Sequence, residues 1–277
     1  MQAEHGDPRQ YVPLSGQQWT SLRTLRGNHT NEFDALKGGP GIWSIKTEPK
    51  VGIGQRCFLI TTPAGNVLWD CITFVDEDTI KTIRNRGGLA AIVISHPHFY
   101  STHLLWANIF DCPVYIAAED AQWCVTTDHN TRRRLVDRPV QQILPGIDAI
   151  KLGGHFPGSM VLRYQPEAAP SKNAHLFIAD TFMTVPSGLY HVNRPAGTTS
   201  YSFLWSYPNQ IPLPPTEVYK MWTALKAFNF SSTHGGFAGQ DVSDGQLKER
   251  VLESMKIQCQ AMGWDASNAA IFNETVV

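Results

Sequence analysis

The sequence predicts an α/β chain folded as a four-layer αββα sandwich, two mixed β-sheets flanked by helices. Three observations predict it. Short apolar runs alternate with amphipathic segments of helical period, clusters of Gly and Pro punctuate them, and His96, His98, His155, Asp180 and His234 follow one another along the chain at the ends of apolar runs. Strand exits are where α/β architectures place function.

Residues 1–40, with Gly6, Pro8, Pro13, Gly16, Gly38, Gly39 and Pro40, carry little periodicity beyond positions 19–25. They read as an irregular arm with one short helix, packed on the core. Residues 41–277 read as a single globular unit, because a chain of 277 residues that is 42% hydrophobic can bury a sizeable core. Positions 42–45, 56–61 and 66–70, separated by turns at 49–54 and 63–65, form three strands of a meander. Positions 76–85 form a helix, acidic early and basic late as the helix dipole favours, and Gly87-Gly88 ends it. The alternation continues with a buried strand at 89–95, a helix at 104–109, a strand at 113–117 and a short helix at 118–125. Strands at 149–152, 160–164 and 176–179 precede a Pro-rich stretch, 184–215, then a helix at 216–228, a strand at 229–233 and a closing amphipathic helix at 242–262.

Composition removes several classes of partner. A net charge of -1, with no clustered basic stripe, gives no reason to expect nucleic acid or an anionic membrane. Arg132-Arg133-Arg134, the one dense basic run, reads as a solvated loop or helix end. Five dispersed cysteines without a C-x-x-C pair argue against a disulfide framework and for a reduced, cytoplasmic protein. No apolar run approaches the roughly 18 residues that span a bilayer, and no secretory leader opens the chain.

The chemistry concentrates at four places. In Ile94-Ser95-His96-Pro97-His98 a buried strand runs into two imidazoles, and in an extended chain residues i and i+2 point to one side. Gly153-Gly154-His155-Phe156-Pro157-Gly158-Ser159 sets a third imidazole in a loop whose glycines allow a tight turn. Three imidazoles with one open position make a catalytic tetrahedral set for zinc. Asp180 ends the strand before it, and His234 ends another before Gly235-Gly236.

These motifs resemble the metallo-β-lactamase-fold superfamily over roughly residues 41–240. Its signature runs H-x-H-x-D-H, then a glycine-flanked His, a strand-end Asp and a final His. The resemblance implies His96, His98, His155, Asp180 and His234 as metal ligands, and Leu68-Trp69-Asp70 looks like the family's strand ending in a structural Asp. Where the family has its D-H pair, this chain has Tyr100 and Ser101, neither a good zinc ligand at neutral pH. One Zn2+ ion is therefore expected to be held tightly, with a second weak or absent. His103, just beyond, opens a helix and reads as a capping or packing residue.

The activity implied is hydrolysis of an ester, lactone, thioester or amide carbonyl in a small organic substrate, by hydroxide generated at the metal. Asp180 would ligate the metal or orient that hydroxide, and Tyr100 would protonate the leaving group. His191, Trp205 and Tyr207, on the long stretch where the superfamily builds its substrate wall, would line the pocket. Two other classes are kept: a non-heme iron oxidoreductase using His96, His155 and Asp180 as a facial triad, and a non-catalytic binding protein with a degraded site.

Overall fold

A computed structural model describes residues 7–167, 173–190 and 193–276, and the chain divides into two units, Met1–Val136 and Asp137–Val277. Each is built on one mixed sheet with helices.

In the first unit α1 (Leu22–Leu25) is capped by Ser21, whose Oγ accepts from the Thr24 amide at 3.2 Å. Strands β1 (Thr30–Ala35), β2 (Ile42–Glu48), β3 (Arg56–Thr62) and β4 (Gly65–Trp69) then run as an antiparallel meander. After β4 the chain changes to parallel pairing, which requires crossovers. Helix α2 (Glu77–Asn85) leads to β5 (Ala91–Val93), and α3 (His103–Phe110) leads to β6 (Val114–Ala117), with β7 (Arg133–Val136) parallel at the edge. Asp76 caps α2 by accepting from the Thr79 amide at 2.8 Å, and Glu77 and Asp78 add charge to its first turn. Cys57 to Ile60, Val67 to Trp69 and Ala91 to Val93 are all buried, the unbroken apolar reading of strands covered on both faces.

In the second unit β8 (Val140–Leu144), β9 (Ile147–Lys151), β10 (Met160–Tyr164) and β11 (His175–Ala179) are antiparallel neighbours. The Pro-rich stretch is not featureless. It forms two ribbons, β12 (Met183–Thr184) with β13 (Tyr201–Ser202), and β14 (Leu204–Ser206) with β15 (Ile211–Pro212). Helix α4 (Pro215–Leu225), with Pro215 in its first turn, leads to β16 (Ser232–Gly235), parallel to β11, and β17 (Asp241–Ser243) closes the sheet. Helix α5 (Leu247–Ala261) follows.

The apolar positions of both helices recur at three- and four-residue spacing: Val218, Met221, Trp222 and Leu225 on α4, and Leu247, Val251, Leu252 and Met255 on α5. They share one core with Ile150, Val161, Leu176 and Ile178 of the sheet. Arg250, wholly buried, donates to Ser200 Oγ at 3.0 Å, to Asp244 Oδ2 at 2.9 Å and to the Gly188 carbonyl, fastening the ribbon segment to α5. Among the described residues no helix is long and apolar enough to cross a membrane.

The sheets extend beyond the sequence reading at all four edges, Val140–Leu144 among them. Thr30–Ala35 pairs with β2 although it falls in the stretch read as an irregular arm, and its sparse apolar content reflects an edge strand with exposed residues. Arg133 and Arg134 lie in β7, not in a loop or helix end. The closing helix starts at Leu247, because Asp241–Ser243 is spent on β17.

Leu176 of β11 contacts the shared core and is 0% exposed, whereas Leu135 of β7 is 55% exposed. Leu176→Ala is expected to lower unfolding free energy by about 2–5 kcal/mol, and Leu135→Ala by less than about 0.5; denaturant midpoints at constant slope would check both.

Candidate metal centre

In the first unit the chain leaves β4 at Asp70 with φ +59, a left-handed conformation rare outside glycine. The Asp70 amide donates to the Val93 carbonyl at 2.8 Å, locking this residue to the end of β5. Its carboxylate then accepts from the Ser95 amide at 2.7 Å and from Ser95 Oγ at 3.0 Å. Ser95 Oγ lies 2.8 Å from His96 Nδ1. A hydroxyl has one proton. With that proton donated to the Asp70 carboxylate, Ser95 Oγ accepts from His96 Nδ1–H, and the His96 lone pair is left on Nε2. Asp70, Ser95 and His96 are all buried, so this chain of bonds is little weakened by solvent.

His96 itself is extended, with φ -165 and ψ 170, but Pro97–Phe99 is a turn of 3-10 helix. His98 is therefore carried round by a turn and not by the strand alternation that the sequence suggests. The two rings lie edge to face, centroids 4.9 Å apart, and their ligand nitrogens are within 4.8 Å of each other.

Tyr100 ends the turn, is buried, and its hydroxyl has no hydrogen-bond partner among the described residues. Burial, reinforced by the Asp120 carboxylate, holds this phenol well above the usual tyrosine range, so it stays protonated. Ser101 beside it is exposed. His103 opens α3 with both nitrogens engaged: Nδ1 bonds the Tyr100 carbonyl and Nε2 accepts from Arg133 Nε at 2.9 Å. One neutral tautomer satisfies both bonds, and burial lowers the pKa of His103 to about 4.

In the second unit the loop after β9 closes on Ser159. Its carbonyl accepts from the Leu152 and Gly153 amides at 2.9 and 3.0 Å, and its Oγ accepts from the Phe156 amide at 2.9 Å. Gly153 and Gly154 have φ +72 and +87, and a Cβ on Gly154 would stand 2.9 Å from Leu213 Cδ1 and 3.0 Å from Met221 Sδ. Both positions need glycine. The loop buries His155, whose Nδ1 donates to the Trp205 carbonyl at 2.9 Å, again leaving the lone pair on Nε2.

Asp180 follows a bulge in β11 at which Ala179 takes φ +43. Its carboxylate and the His155 ring bring ligand atoms within 4.8 Å of each other. Tyr207 packs its ring 5.6 Å from His155 and donates to the Ser202 carbonyl at 3.3 Å; desolvation, and then the Asp180 charge, push its phenol well above the ordinary range. Trp205 lies on β14 and touches His155 through its backbone. His191 lies outside the described residues.

His234 stands elsewhere. It lies inside β16, with Nδ1 at 2.9 Å from Asp241 Oδ1 and Nε2 at 3.0 Å from His175 Nδ1. The His175 and His234 rings are stacked at 22° with centroids 5.3 Å apart. His175 is pushed down to about 4 by burial and by this neighbour. His96, His98, His155 and Asp180 each offer a ligand atom suited to a metal ion, and His234 is not in that set.

Sequence reasoning missed Ser95, His175 and the Trp205 carbonyl. Ser95 had a visible signal, a hydroxyl directly before the first histidine. His175 opens an apolar strand, and a backbone carbonyl leaves no mark in a sequence.

No family model matches the chain. Over 232 residues it is 35% identical to the protein YmaE of Bacillus subtilis (strain 168), spanning 84% of this chain and 80% of that one. Among solved structures, the chain matches VMB-1 with a TM-score of 0.55 at 12% identity, covering 84% of this chain and 99% of that one. It matches the metallo-β-lactamase FIM-1 from Pseudomonas aeruginosa in its mono-zinc form with a TM-score of 0.53 at 12% identity, covering 83% and 96%. A B3 metallo-β-lactamase with an active-site glutamic acid matches at 0.50, with 16% identity and 81% and 90% coverage. At such identities the shared property is the fold.

His103 makes acid stability a test of this geometry. Between pH 6.5 and about 4 the unfolded chain holds a proton on this ring that the folded chain refuses, so stability is full above 6.5 and falls as pH drops through that window. The loss is on the order of 3 kcal/mol at the bottom of the window. Gln can make both bonds but cannot charge, so His103→Gln should show a shallower fall of thermal midpoint between pH 7 and 4.5.

Proposed function

We propose that this chain, which belongs to one family with YmaE and shares the fold of solved metallo-β-lactamases, is a zinc-dependent hydrolase acting on a carbonyl of a small organic substrate at a mononuclear site. His96, His98, His155 and Asp180 are the ligands in this reading. The observation that carries it is the fixing of two imidazoles through Nδ1, one by Ser95 and Asp70 and the other by the Trp205 carbonyl, so that Nε2 is the donor on both. Three imidazoles and a carboxylate suit zinc, and FIM-1 has been solved in a mono-zinc form.

A divalent ion held there supplies Lewis acidity toward a carbonyl oxygen and lowers the pKa of water from ~15.7 to about 7. The protein does the rest. Asp180 accepts a hydrogen bond from the attacking water and keeps its lone pair aimed at the carbonyl carbon. Tyr100, a phenol held neutral by burial, gives its proton to the departing oxygen, sulfur or nitrogen. Trp205 and Tyr207 offer aromatic surface to the acyl part of an ester, lactone, thioester or amide, and the Tyr207 ring against His155 restrains that ligand.

Single-ion occupancy rests on two features. Tyr100 and Ser101 replace ligands for a second ion, and His234 spends Nε2 on His175 and Nδ1 on Asp241. All five cysteines stand as thiols, which supports a reducing, cytoplasmic setting.

Elemental analysis and turnover on a panel of esters, lactones and thioesters test this reading together. His96→Ala, His98→Ala and His155→Ala are each expected to lose metal and activity, whereas His234→Ala keeps one equivalent of metal and Tyr100→Phe keeps metal but slows turnover by about 10²-fold or more. Stoichiometric metal in any of the first three variants would refute the ligand set, and iron with visible absorbance would move the chain out of the hydrolases. Ser95→Ala should weaken metal affinity by about 10–100-fold, as read by chelator competition, and lower the thermal midpoint, because it takes a hydrogen bond from the buried Asp70 carboxylate and from His96 Nδ1.

A further inference from the structure

The five thiols divide into four that are sealed and one that is reachable. Cys57, Cys71, Cys112 and Cys259 are no more than 2% exposed. Burial pushes Cys57 and Cys112 up to about 12 and Cys259 to about 11, so none of these offers a reactive thiolate. Cys124 is partly exposed and lines a pocket in the first unit with Tyr100, Trp123, Val125 and Thr126.

The pocket has a donor waiting in it. Tyr100 lines this pocket and is 4% exposed, and its hydroxyl has no hydrogen-bond partner among the described residues. A buried hydroxyl without a hydrogen bond is unfavourable, and a polar atom placed in the pocket would satisfy it. Charges of both signs surround the pocket. The Arg9 guanidinium, paired with Asp7, lies over the Trp123 ring at 5.4 Å, Arg133 bonds the Thr126 carbonyl and the His103 ring, and the buried Asp120 carboxylate acts on Tyr100. Susceptibility to oxidation follows exposure as well as thiolate character, and Cys124 is the one partly exposed thiol of the five. Val125, 51% exposed, marks the open side.

We propose that Cys124 is a site of reversible oxidation by hydroperoxides, and that Tyr100 binds the oxygen atom the sulfur acquires. The Cys124 thiolate attacks the terminal oxygen of the peroxide. The O–O bond breaks and an S–O bond forms; sulfur is oxidised by two electrons, and the peroxide is reduced to an alkoxide that takes up the proton the thiol had released, leaving an alcohol and a sulfenic acid. Tyr100 Oη–H then donates to the sulfenic oxygen. Because Tyr100 ends the turn that carries His98, the oxidised state ties up the phenol assigned to the leaving group. That effect on turnover rests on the hydrolase reading, whereas the oxidation does not.

The test treats metal-loaded protein with a small excess of hydrogen peroxide in the presence of a cyclic 1,3-dione that traps sulfenic acid, and locates the adduct by peptide mass spectrometry. At least tenfold more adduct is expected on the Cys124 peptide than on any of the other four cysteines, none on that peptide in Cys124→Ser, and several-fold less in Tyr100→Phe. Removing a hydroxyl that bonds nothing should leave Tyr100→Phe folded, and its thermal midpoint would verify this. Adduct spread over several cysteines, absence of adduct at Cys124, or a wild-type yield in Tyr100→Phe would overturn the proposal. Labelling at Cys124 with unchanged turnover would leave the oxidation standing and remove Tyr100 from the hydrolytic step.

Discussion

A neutral imidazole has one lone pair, and a cation can use it only if the other nitrogen holds the proton. The fold spends considerable structure on that choice. At His96 it spends a left-handed aspartate, a serine hydroxyl and the β4–β5 pairing that holds Asp70 against Val93. At His155 it spends a loop with two left-handed glycines and a backbone carbonyl from β14. Asp70, Ser95 and both rings are buried, and breaking either set of bonds would strand polar groups away from water, which fixes the rings more firmly than packing alone.

The same logic explains what His234 has become. Its two nitrogens lie at hydrogen-bond distance from Asp241 and His175. The sequence places this histidine last in a ligand series, and position in the series is what suggests its role. Hydrogen bonding adds what the series cannot show, since the partner His175 lies 59 residues earlier at the start of β11. Tyr100, where the resemblance expects a carboxylate, is a phenol held neutral by burial.

Much of the fold was legible because core strands such as Arg56–Thr62 and Gly65–Trp69 are nearly continuous apolar runs, and α2 announces itself through Asp76 and its early acids. Edge elements were not. Thr30–Ala35 and Arg133–Val136 have too little buried surface to leave a pattern, and the ribbons of the Pro-rich stretch are two or three residues long. Of the centre, the side chains with ligand chemistry could be read, together with the glycines around His155. The turn that swings His98 could not, since Pro97 is equally at home in extended chain and in the first turn of a helix.

The Trp205 carbonyl has an evolutionary consequence. A main-chain oxygen survives every replacement of its side chain, so the residue at 205 and its neighbours are open to exchange without disturbing the aim of His155. Insertions and deletions in β14 and β15 enjoy no such freedom, because they would slide another carbonyl, or none, opposite Nδ1. Diversification along this ribbon should therefore proceed by point replacement at constant length, with each new surface inheriting an already oriented imidazole.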